Sequence, residues 1–427
     1  MTVARGWQFF MHPGPTNIPE RVRQAMARPA VDFTGPEFVA LRDRCLERMK
    51  GILKTKKGFV ITYAASGNGA WDASIANVFS PGDKVLVPST GFFADRWATT
   101  ARHYGLEVEA VSTADRRAVD PESVARHLAA DKKHAIKAVL LIQNETATGM
   151  RHPIAEVREA IDRVGHPALY MVDTISSLAS YDFRMDEWGV DLVIGGSQKG
   201  LMLPPGMAFT AINARTWEAA QRARNPRRYW DWRPMIENGR QVQFCGTPPI
   251  THFYGLEASL DMLEEEGLEN VFARHHRLAE ATRACVRAWG AGGGPEIWSL
   301  DPEFASDSLT AVLMPAGHDA DRVRAIANDR YGVALGRGLA ALQGRVFRIG
   351  HMGDLNEPML LGALAAIELA LEEAAVPHAR GGVATAMESL RATEDQCAPA
   401  ASAEALAIAG FVSHTSPIIA RKSSADA

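Results

Sequence analysis

Cysteine is scarce in this chain, with four residues in 427: Cys45, Cys245, Cys285 and Cys397. They lie far apart, form no Cys-x-x-Cys pair and have no histidine at zinc-ligand spacing, which argues against a zinc site or a disulfide framework. We therefore predict that the protein holds no metal and works in a reducing compartment, the cytoplasm.

Long apolar runs and an excess of one charge are also missing. The amino-terminal stretch MTVARGWQFFMHPGP has only a few apolar residues before its prolines, unlike a signal peptide, and no window approaches the roughly 20 apolar residues of a membrane span. The net charge is -4 and no basic stripe is present. Neither a membrane nor a nucleic acid is an expected partner.

The chain is rich in short apolar segments that alternate with stretches of helical periodicity. Hydrophobic residues make up 47% of the sequence, enough for a large core and two to three domains. The segments that we interpret as strands are residues 58–63, 84–88, 106–111, 136–142, 168–172 and 191–195. This order predicts an α/β protein with a mostly parallel sheet covered on both faces, whose ligands bind beyond the carboxyl ends of the strands.

Composition changes along the chain predict its domain organisation. We expect an amino-terminal arm over residues 1–20, a large domain over 21–260 and a smaller α+β domain over 261–378. A long helical pattern that crosses the boundary between the large and the smaller domain is interrupted around Gly267. Residues 379–427 are rich in alanine and serine and are predicted to be a flexible tail.

Three polar features follow predicted strands. The turn ASGNGAW (residues 65–71) is either a phosphate-binding turn at a helix amino terminus or an ordinary tight turn. Asp173 is either the partner of a buried cation or N–H group or a helix N-cap, and Lys199 is either a reactive amine or a solvated loop lysine. Together they match the needs of pyridoxal phosphate: donors for its phosphate, an anion for its ring nitrogen and an amine for its aldehyde.

Seven stretches carry a closer likeness. The chain resembles the class V (fold type I) aminotransferases of the serine–glyoxylate and alanine–glyoxylate group over residues 10 to about 375. The matching stretches, in family order, are HPGPTNIP (12–19), ASGNG (65–69), NETATG (144–149), DTISS (173–177), GSQKGLMLP (196–204), TPP (247–249) and VFRIGH (346–351). The resemblance implies a fold type I transferase, with a mostly parallel seven-stranded sheet in the large domain and a smaller α+β domain. It also implies a homodimer with active sites at the interface.

The resemblance also assigns roles to residues at matching positions. Lys199 is expected to bind the cofactor covalently and then to move the proton between the substrate Cα and the cofactor. Asp173 is expected to pair with the ring N–H. The residues expected around the phosphate are Ser66, Gly67, Asn68, Gln198 and, from the partner subunit, Thr247.

Four further positions are assigned in the same way. Phe93 matches an aromatic residue that stacks on the cofactor ring, although a core phenylalanine is the alternative. Thr146 matches a hydroxyl near the cofactor's phenolic oxygen, or is an ordinary turn hydroxyl. Arg348 is expected to bind the substrate carboxylate in a bidentate manner, and the backbone of Gly14 is expected to line the same pocket.

The sequence departs from the family pattern at three places. Phe244 stands where relatives often carry a tyrosine that donates to the phosphate, Asn68 where threonine or histidine is usual, and Thr174 where glycine is expected. The missing phenol removes a hydrogen bond worth roughly 1.5–3 kcal/mol unless another donor replaces it. These departures leave the chemistry intact and bear on the choice of amino donor.

The expected activity is a ping-pong transamination from L-serine to glyoxylate, giving hydroxypyruvate and glycine. L-Aspartate or L-alanine as the donor is the close alternative. A cysteine desulfurase-like lyase and a silent pyridoxal phosphate-binding protein are more distant alternatives. The predicted partners are thus small amino acids and 2-oxo acids.

Overall fold

The computed structural model describes residues 6–397, with side chains as far as residue 392. Its strands are β1 (Phe9–Met11), β2 (Phe59–Tyr63), β3 (Lys84–Ser89), β4 (Glu107–Ser112), β5 (Ile136–Ile142), β6 (Asn144–Glu145), β7 (Met150–Arg151), β8 (Leu169–Asp173), β9 (Leu192–Gly196), β10 (Ala208–Ile212), β11 (Ile236–Glu237), β12 (Arg240–Gln241), β13 (Glu296–Ile297), β14 (Leu309–Leu313), β15 (Val333–Arg337) and β16 (Val346–Gly350). Its helices are α1 (Glu20–Met26), α2 (Pro36–Ile52), α3 (Gly67–Val78), α4 (Phe92–His103), α5 (Pro121–Ala130), α6 (Ile154–Arg163), α7 (Ala214–Arg222), α8 (Trp232–Met235), α9 (Ile250–Glu266), α10 (Leu268–Gly290), α11 (Ala320–Tyr331), α12 (Glu357–Glu373) and α13 (Gly382–Cys397).

The large domain is built on a seven-stranded sheet in the order β2-β10-β9-β8-β5-β3-β4. Strands β4, β3, β5, β8 and β9 pair in parallel, whereas β10 is antiparallel to both of its neighbours. The predicted α/β fold with a mostly parallel seven-stranded sheet is therefore correct.

Both faces of this sheet are covered because successive side chains of a strand point to opposite sides. In β5, Val139 and Leu141 join one apolar cluster together with α2 and α9. Ala138 and Leu140 join a second cluster, which contains residues of α3 and α4. The continuous apolar runs of the sequence follow from this two-sided burial.

The smaller domain contains a five-stranded sheet in the order β1-β15-β16-β14-β13. Strand β1, from the amino-terminal arm, pairs in parallel with β15, and the other pairs are antiparallel. A separate apolar cluster lies between this sheet and helices α10 to α13. Helix α12 begins where the side chain of Asn356 accepts a hydrogen bond from the backbone N–H of Met359 at 3.1 Å, which is a typical N-cap.

The predicted domain boundary between residues 260 and 261 falls inside a helix. Residue 260 falls inside α9, and Leu263 and Val271 still belong to the large domain's apolar cluster. The break between α9 and α10 lies at Gly267, as the sequence predicted.

The prediction of a flexible tail from residue 379 is wrong for the part that the structure describes. Helix α13 begins at Gly382 and buries Ala386 and Leu390 in the small domain's cluster, in which Trp289 also lies. Apolar residues four positions apart share one helix face, so this alanine-rich segment packs as a helix. Residues 398–427 of the predicted tail lie outside the described residues.

Strands β10 and β15 were not recognised in the sequence. Both are five residues long and contain alanine or glycine among their apolar positions, so their β-propensity is weak. Burial between two neighbouring strands compensates for it. Across residues 6–397, no helix combines the length and apolar content that crossing a membrane requires.

Candidate active site

One edge of the large sheet collects the polar residues that follow its strands. Strand β8 ends at Asp173, and β9 ends at Gly196, three residues before Lys199. Because β5, β8 and β9 are parallel, their carboxyl ends meet at one edge. Strand β2 has its carboxyl end there too, and a short turn leads from it into α3.

These segments enclose a cavity. Its lining residues are Ser66, Gly67, Asn68, Trp71, Phe93, Ile142, Asn144, Thr146, Asp173, Ile175, Ser176, Gln198 and Lys199. Eight residues that were predicted to hold the cofactor line it: Ser66, Gly67, Asn68, Phe93, Thr146, Asp173, Gln198 and Lys199.

The amino terminus of α3 forms one end of the cavity. The N-cap residue Ser66 makes no side-chain capping bond, and the first turn of α3 contains no acidic residue. The first N–H groups of the helix and its positive dipole end are therefore available to an anion. A Cβ atom at Gly67 would overlap the side chain of Ile175, so a larger residue there would require this side chain to shift.

Asp173 lies deeper in the cavity. Its Oδ1 accepts a hydrogen bond from the backbone N–H of Ile175, and its Oδ2 accepts one from the indole N–H of Trp71, both at 2.7 Å. Burial raises the pKa of Asp173 to about 6, although these two donors and the charge of Lys199 act in the opposite direction. A cationic N–H from a ligand ring would give this carboxylate the partner that its burial requires.

The amine of Lys199 is buried and donates a hydrogen bond to the backbone carbonyl of Pro13. A Cβ atom at Gly14, where φ is +101°, would overlap the lysine side chain, so glycine is needed at this contact. Burial and the positive charge of Arg348 lower the pKa of Lys199 to about 7, and the Asp173 carboxylate partly offsets them. A large fraction of this amine is thus neutral and nucleophilic near neutral pH.

Arg348 lies on β16 beside the cavity and is buried. Its Nε donates to the carbonyl of Arg337 and its Nη1 to the carbonyl of Thr146, each at 2.8 Å. Burial lowers the pKa of Arg348 to about 10, so the guanidinium keeps its charge at neutral pH. Gly14 contacts the Lys199 side chain, and the charge of Arg348 acts on the same amine.

Thr146 and Phe93 stand on the cavity wall. The Thr146 hydroxyl lies 2.7 Å from the hydroxyl of Ser176, which also accepts a hydrogen bond from the side-chain amide of Asn144 at 2.8 Å. The Phe93 ring meets Trp71 edge to face, with ring centroids 6.5 Å apart. The threonine hydroxyl therefore bonds another side chain and not its own turn.

Thr247 is exposed and does not line the cavity of its own chain. Nearby, the ring of Phe244 packs between those of Phe38 and Phe253, at centroid distances of 6.4 Å and 5.9 Å. The Phe244 ring thus contributes to the apolar core.

Five lining residues were missed in the sequence: Trp71, Ile142, Asn144, Ile175 and Ser176. Trp71 follows Gly67 by four positions on α3, so helical geometry could have placed both on one face. Ile142 is the last residue of β5, and the other three lie inside the stretches NETATG and DTISS, whose positions after β5 and β8 carried the signal.

The cavity fits pyridoxal phosphate: an uncapped helix end for the phosphate, a buried carboxylate for the ring nitrogen and a buried amine for the aldehyde. The fold and this cavity define an enzyme of the fold type I pyridoxal phosphate group. The family model of aminotransferase class V matches residues 47–350, and the chain belongs to this family. It is a pyridoxal phosphate-dependent aminotransferase.

Similar proteins and a similar solved structure are also named as aminotransferases. The chain is 44% identical over 382 residues to L-aspartate–glyoxylate aminotransferase of Paracoccus denitrificans, covering 89% of this chain and 96% of the relative. It is 43% identical over 385 residues to serine–glyoxylate aminotransferase of Methylorubrum extorquens, covering 89% and 95%. The crystal structure of pyridoxamine–pyruvate aminotransferase from Mesorhizobium loti superposes with a TM-score of 0.84 at 26% identity, covering 92% and 99% of the two chains.

Proposed function

We propose that this aminotransferase moves the amino group of L-serine to glyoxylate, giving hydroxypyruvate and glycine in a ping-pong cycle. The observation that carries the proposal is the buried amine of Lys199, whose pKa is lowered to about 7 by burial and the Arg348 charge and is raised by the Asp173 carboxylate. Relatives named as glyoxylate aminotransferases with serine or aspartate as donor support glyoxylate as the acceptor.

When bound, pyridoxal phosphate supplies an aldehyde for the substrate amine and a ring that accepts electrons. Asp173 holds the ring nitrogen in its protonated form, and the amino end of α3 with Gln198 binds the phosphate. Lys199, with its pKa near 7, accepts and returns the proton at the substrate Cα. Arg348 orients the substrate carboxylate so that the Cα–H bond faces this amine.

The charge distribution in the cavity favours serine as donor. Lys199 is the only cationic side chain among the described residues that line the cavity, and Arg348 beside it is proposed for the α-carboxylate. A second carboxylate on the substrate would need a second cation in so buried a site. The neutral hydroxymethyl group of serine does not.

L-Aspartate is the second candidate donor, because the Paracoccus relative that uses it is 44% identical to this chain. The test is a panel of half-reactions with L-serine, L-aspartate and L-alanine, following loss of the cofactor's visible absorbance and its return on addition of glyoxylate. We expect the largest kcat/KM with L-serine. A larger kcat/KM with L-aspartate would overturn the donor, and full activity in Lys199→Ala would overturn the mechanism.

We also propose a homodimer in which Thr247 of each chain reaches the phosphate in the other chain's cavity. Thr247 is exposed and is not among the residues that line its own chain's cavity, which supports this assignment. The cytoplasmic location expected from the sequence stays a prediction.

Cysteine desulfurase chemistry is disfavoured because it needs a reactive thiolate. Burial raises the pKa of Cys45 to about 12 and raises those of Cys245 and Cys285 as well. None of these three thiols lines the cavity. Release of sulfide from L-cysteine that is abolished by alkylation of the cysteines would contradict this reasoning. A protein that only binds pyridoxal phosphate would show no half-reaction with L-serine or glyoxylate.

A further inference from the structure

The Asp173 carboxylate is held from two sides by donors of different kinds. The backbone N–H of Ile175 bonds Oδ1, and the indole N–H of Trp71 bonds Oδ2, each at 2.7 Å. Two carboxylate oxygens offer about four acceptor positions, so room remains for a donor from the cavity. The indole is the only side-chain donor to this carboxylate among the described hydrogen bonds, and it comes from 102 residues away.

The indole of Trp71 is fixed by packing. Its ring is 1% exposed and lies nearly parallel to the ring of Trp97, with an interplanar angle of 13° and centroids 6.1 Å apart. The edge-to-face contact with Phe93 restrains it from another side. A donor held this firmly sets the orientation of the carboxylate that it bonds.

Asp173 itself is 4% exposed, so water gives little support to its negative charge. A hydrogen bond to a charged group is about twice as strong as one between neutral groups, and a donor to a carboxylate favours its ionised form. We propose that Trp71 is a positioning residue that keeps the Asp173 carboxylate ionised and aimed at the cofactor's ring nitrogen. The inference rests on the proposed role of Asp173 and adds to it the group that maintains that role.

The chain offers a matched control. Trp97 is also 1% exposed and belongs to the same stacked pair, but its indole N–H has no hydrogen-bond partner in the structure. Trp71→Phe and Trp97→Phe therefore remove the same atoms from the same aromatic cluster. They differ in that only the first removes a hydrogen bond to Asp173.

The test is titration of cofactor-free protein with pyridoxal phosphate, which needs no amino acid substrate. Loss of one hydrogen bond to a charged group predicts that Trp71→Phe raises the cofactor dissociation constant about 10- to 100-fold. Trp97→Phe is expected to stay within about twofold of wild type, the range of independent effects. Equal losses in both variants, or a Trp71→Phe protein that binds like wild type, would overturn the inference.

Asp173→Asn distinguishes action through the carboxylate from a packing effect. If Trp71 acts through Asp173, adding Trp71→Phe to Asp173→Asn changes the dissociation constant by no more than about twofold. A loss as large as in the wild-type background would overturn the inference, even if Trp71→Phe alone weakens binding. Failure of the serine and glyoxylate half-reactions would reject the proposed function and leave this binding result standing.

Discussion

The Nη1 atom of Arg348 donates a hydrogen bond to the backbone carbonyl of Thr146 at 2.8 Å, so a strand of the small domain is fastened to the wall of the cofactor cavity. Its Nε is bound to the carbonyl of Arg337, also at 2.8 Å. A guanidinium has five N–H groups, and these two bonds leave about three for a substrate carboxylate. Lysine at this position could not reproduce both restraints.

We expect Arg348→Lys to raise KM for both L-serine and glyoxylate by about 10- to 100-fold, because a charge-assisted bidentate contact is lost. The dissociation constant of pyridoxal phosphate should stay at the wild-type value. Steady-state kinetics check the first expectation and cofactor titration the second. Arg345→Lys, three residues earlier and exposed, is the control with unchanged KM. An unchanged KM in Arg348→Lys would remove the arginine from substrate binding.

The lowered pKa of Lys199 predicts how fast cofactor-free protein reacts with pyridoxal phosphate as pH changes. Only the neutral amine attacks the aldehyde, so the rate should rise between about pH 6 and pH 8 and level off above, when measured by stopped-flow absorbance. Asp173→Asn removes the negative charge that raises the pKa of Lys199, so its profile should move to lower pH. A rate that still climbs between about pH 9 and pH 10 would indicate an ordinary exposed lysine.

Glu145 joins two parts of the site from the middle of the NETATG stretch. Its Oε2 accepts the backbone N–H groups of Phe93 and Ala94 at 3.1 Å and 3.2 Å, and its Oε1 accepts that of Ala147 at 3.0 Å. The buried carboxylate thus ties the first turn of α4, which carries Phe93, to the turn that carries Thr146. Burial raises the pKa of Glu145 to about 7, against the effect of these donors.

Glu145→Gln should lower the free energy of unfolding, because the amide group cannot accept all three N–H groups. A carboxyl whose pKa is higher in the folded than in the unfolded protein stabilises most at low pH and loses that contribution as pH rises through about 7. The gap between wild type and variant in urea unfolding of the cofactor-free protein should therefore be larger at about pH 5 than at about pH 8. A gap that widens toward high pH would contradict the raised pKa.

Thr247→Val should weaken cofactor binding about 10-fold if its hydroxyl donates to the phosphate. Thr251→Val, at another exposed threonine, is the matched control. Mixed dimers identify the chain that Thr247 serves. A dimer of one Lys199→Ala chain and one Thr247→Val chain retains one native site if the contact crosses the interface. Wild-type affinity in the remaining lysine-containing site supports the crossing, and weakened affinity contradicts it.

Local sequence signals predicted much of the cavity because parallel strands bring their carboxyl ends together. Asp173 and Lys199 each follow an apolar run, and the SGNG turn follows another. Once the sheet was recognised, strand geometry alone made these residues neighbours. Another local signal identified the break at Gly267, because the helical pattern there meets a glycine, which ends the helix.

Local sequence signals could not predict contacts between distant segments of the chain. The bond from Trp71 to Asp173 spans 102 residues and that from Lys199 to Pro13 spans 186, and no periodicity links either pair. The misassigned tail has a related cause. Alanine and serine are compatible with both a solvated chain and a helix, and the burial of Ala386 and Leu390 against α10 decides between them.

The pairing of β1 with β15 sets the order in which the site can be completed during synthesis. Phe9 pairs with Val333, so β1 has no partner strand until β15 has left the ribosome. The carbonyl of Pro13 that receives the Lys199 amine lies two residues beyond this strand. The lysine pocket is therefore among the last parts of the protein to close, and its assembly depends on a contact of very long sequence separation.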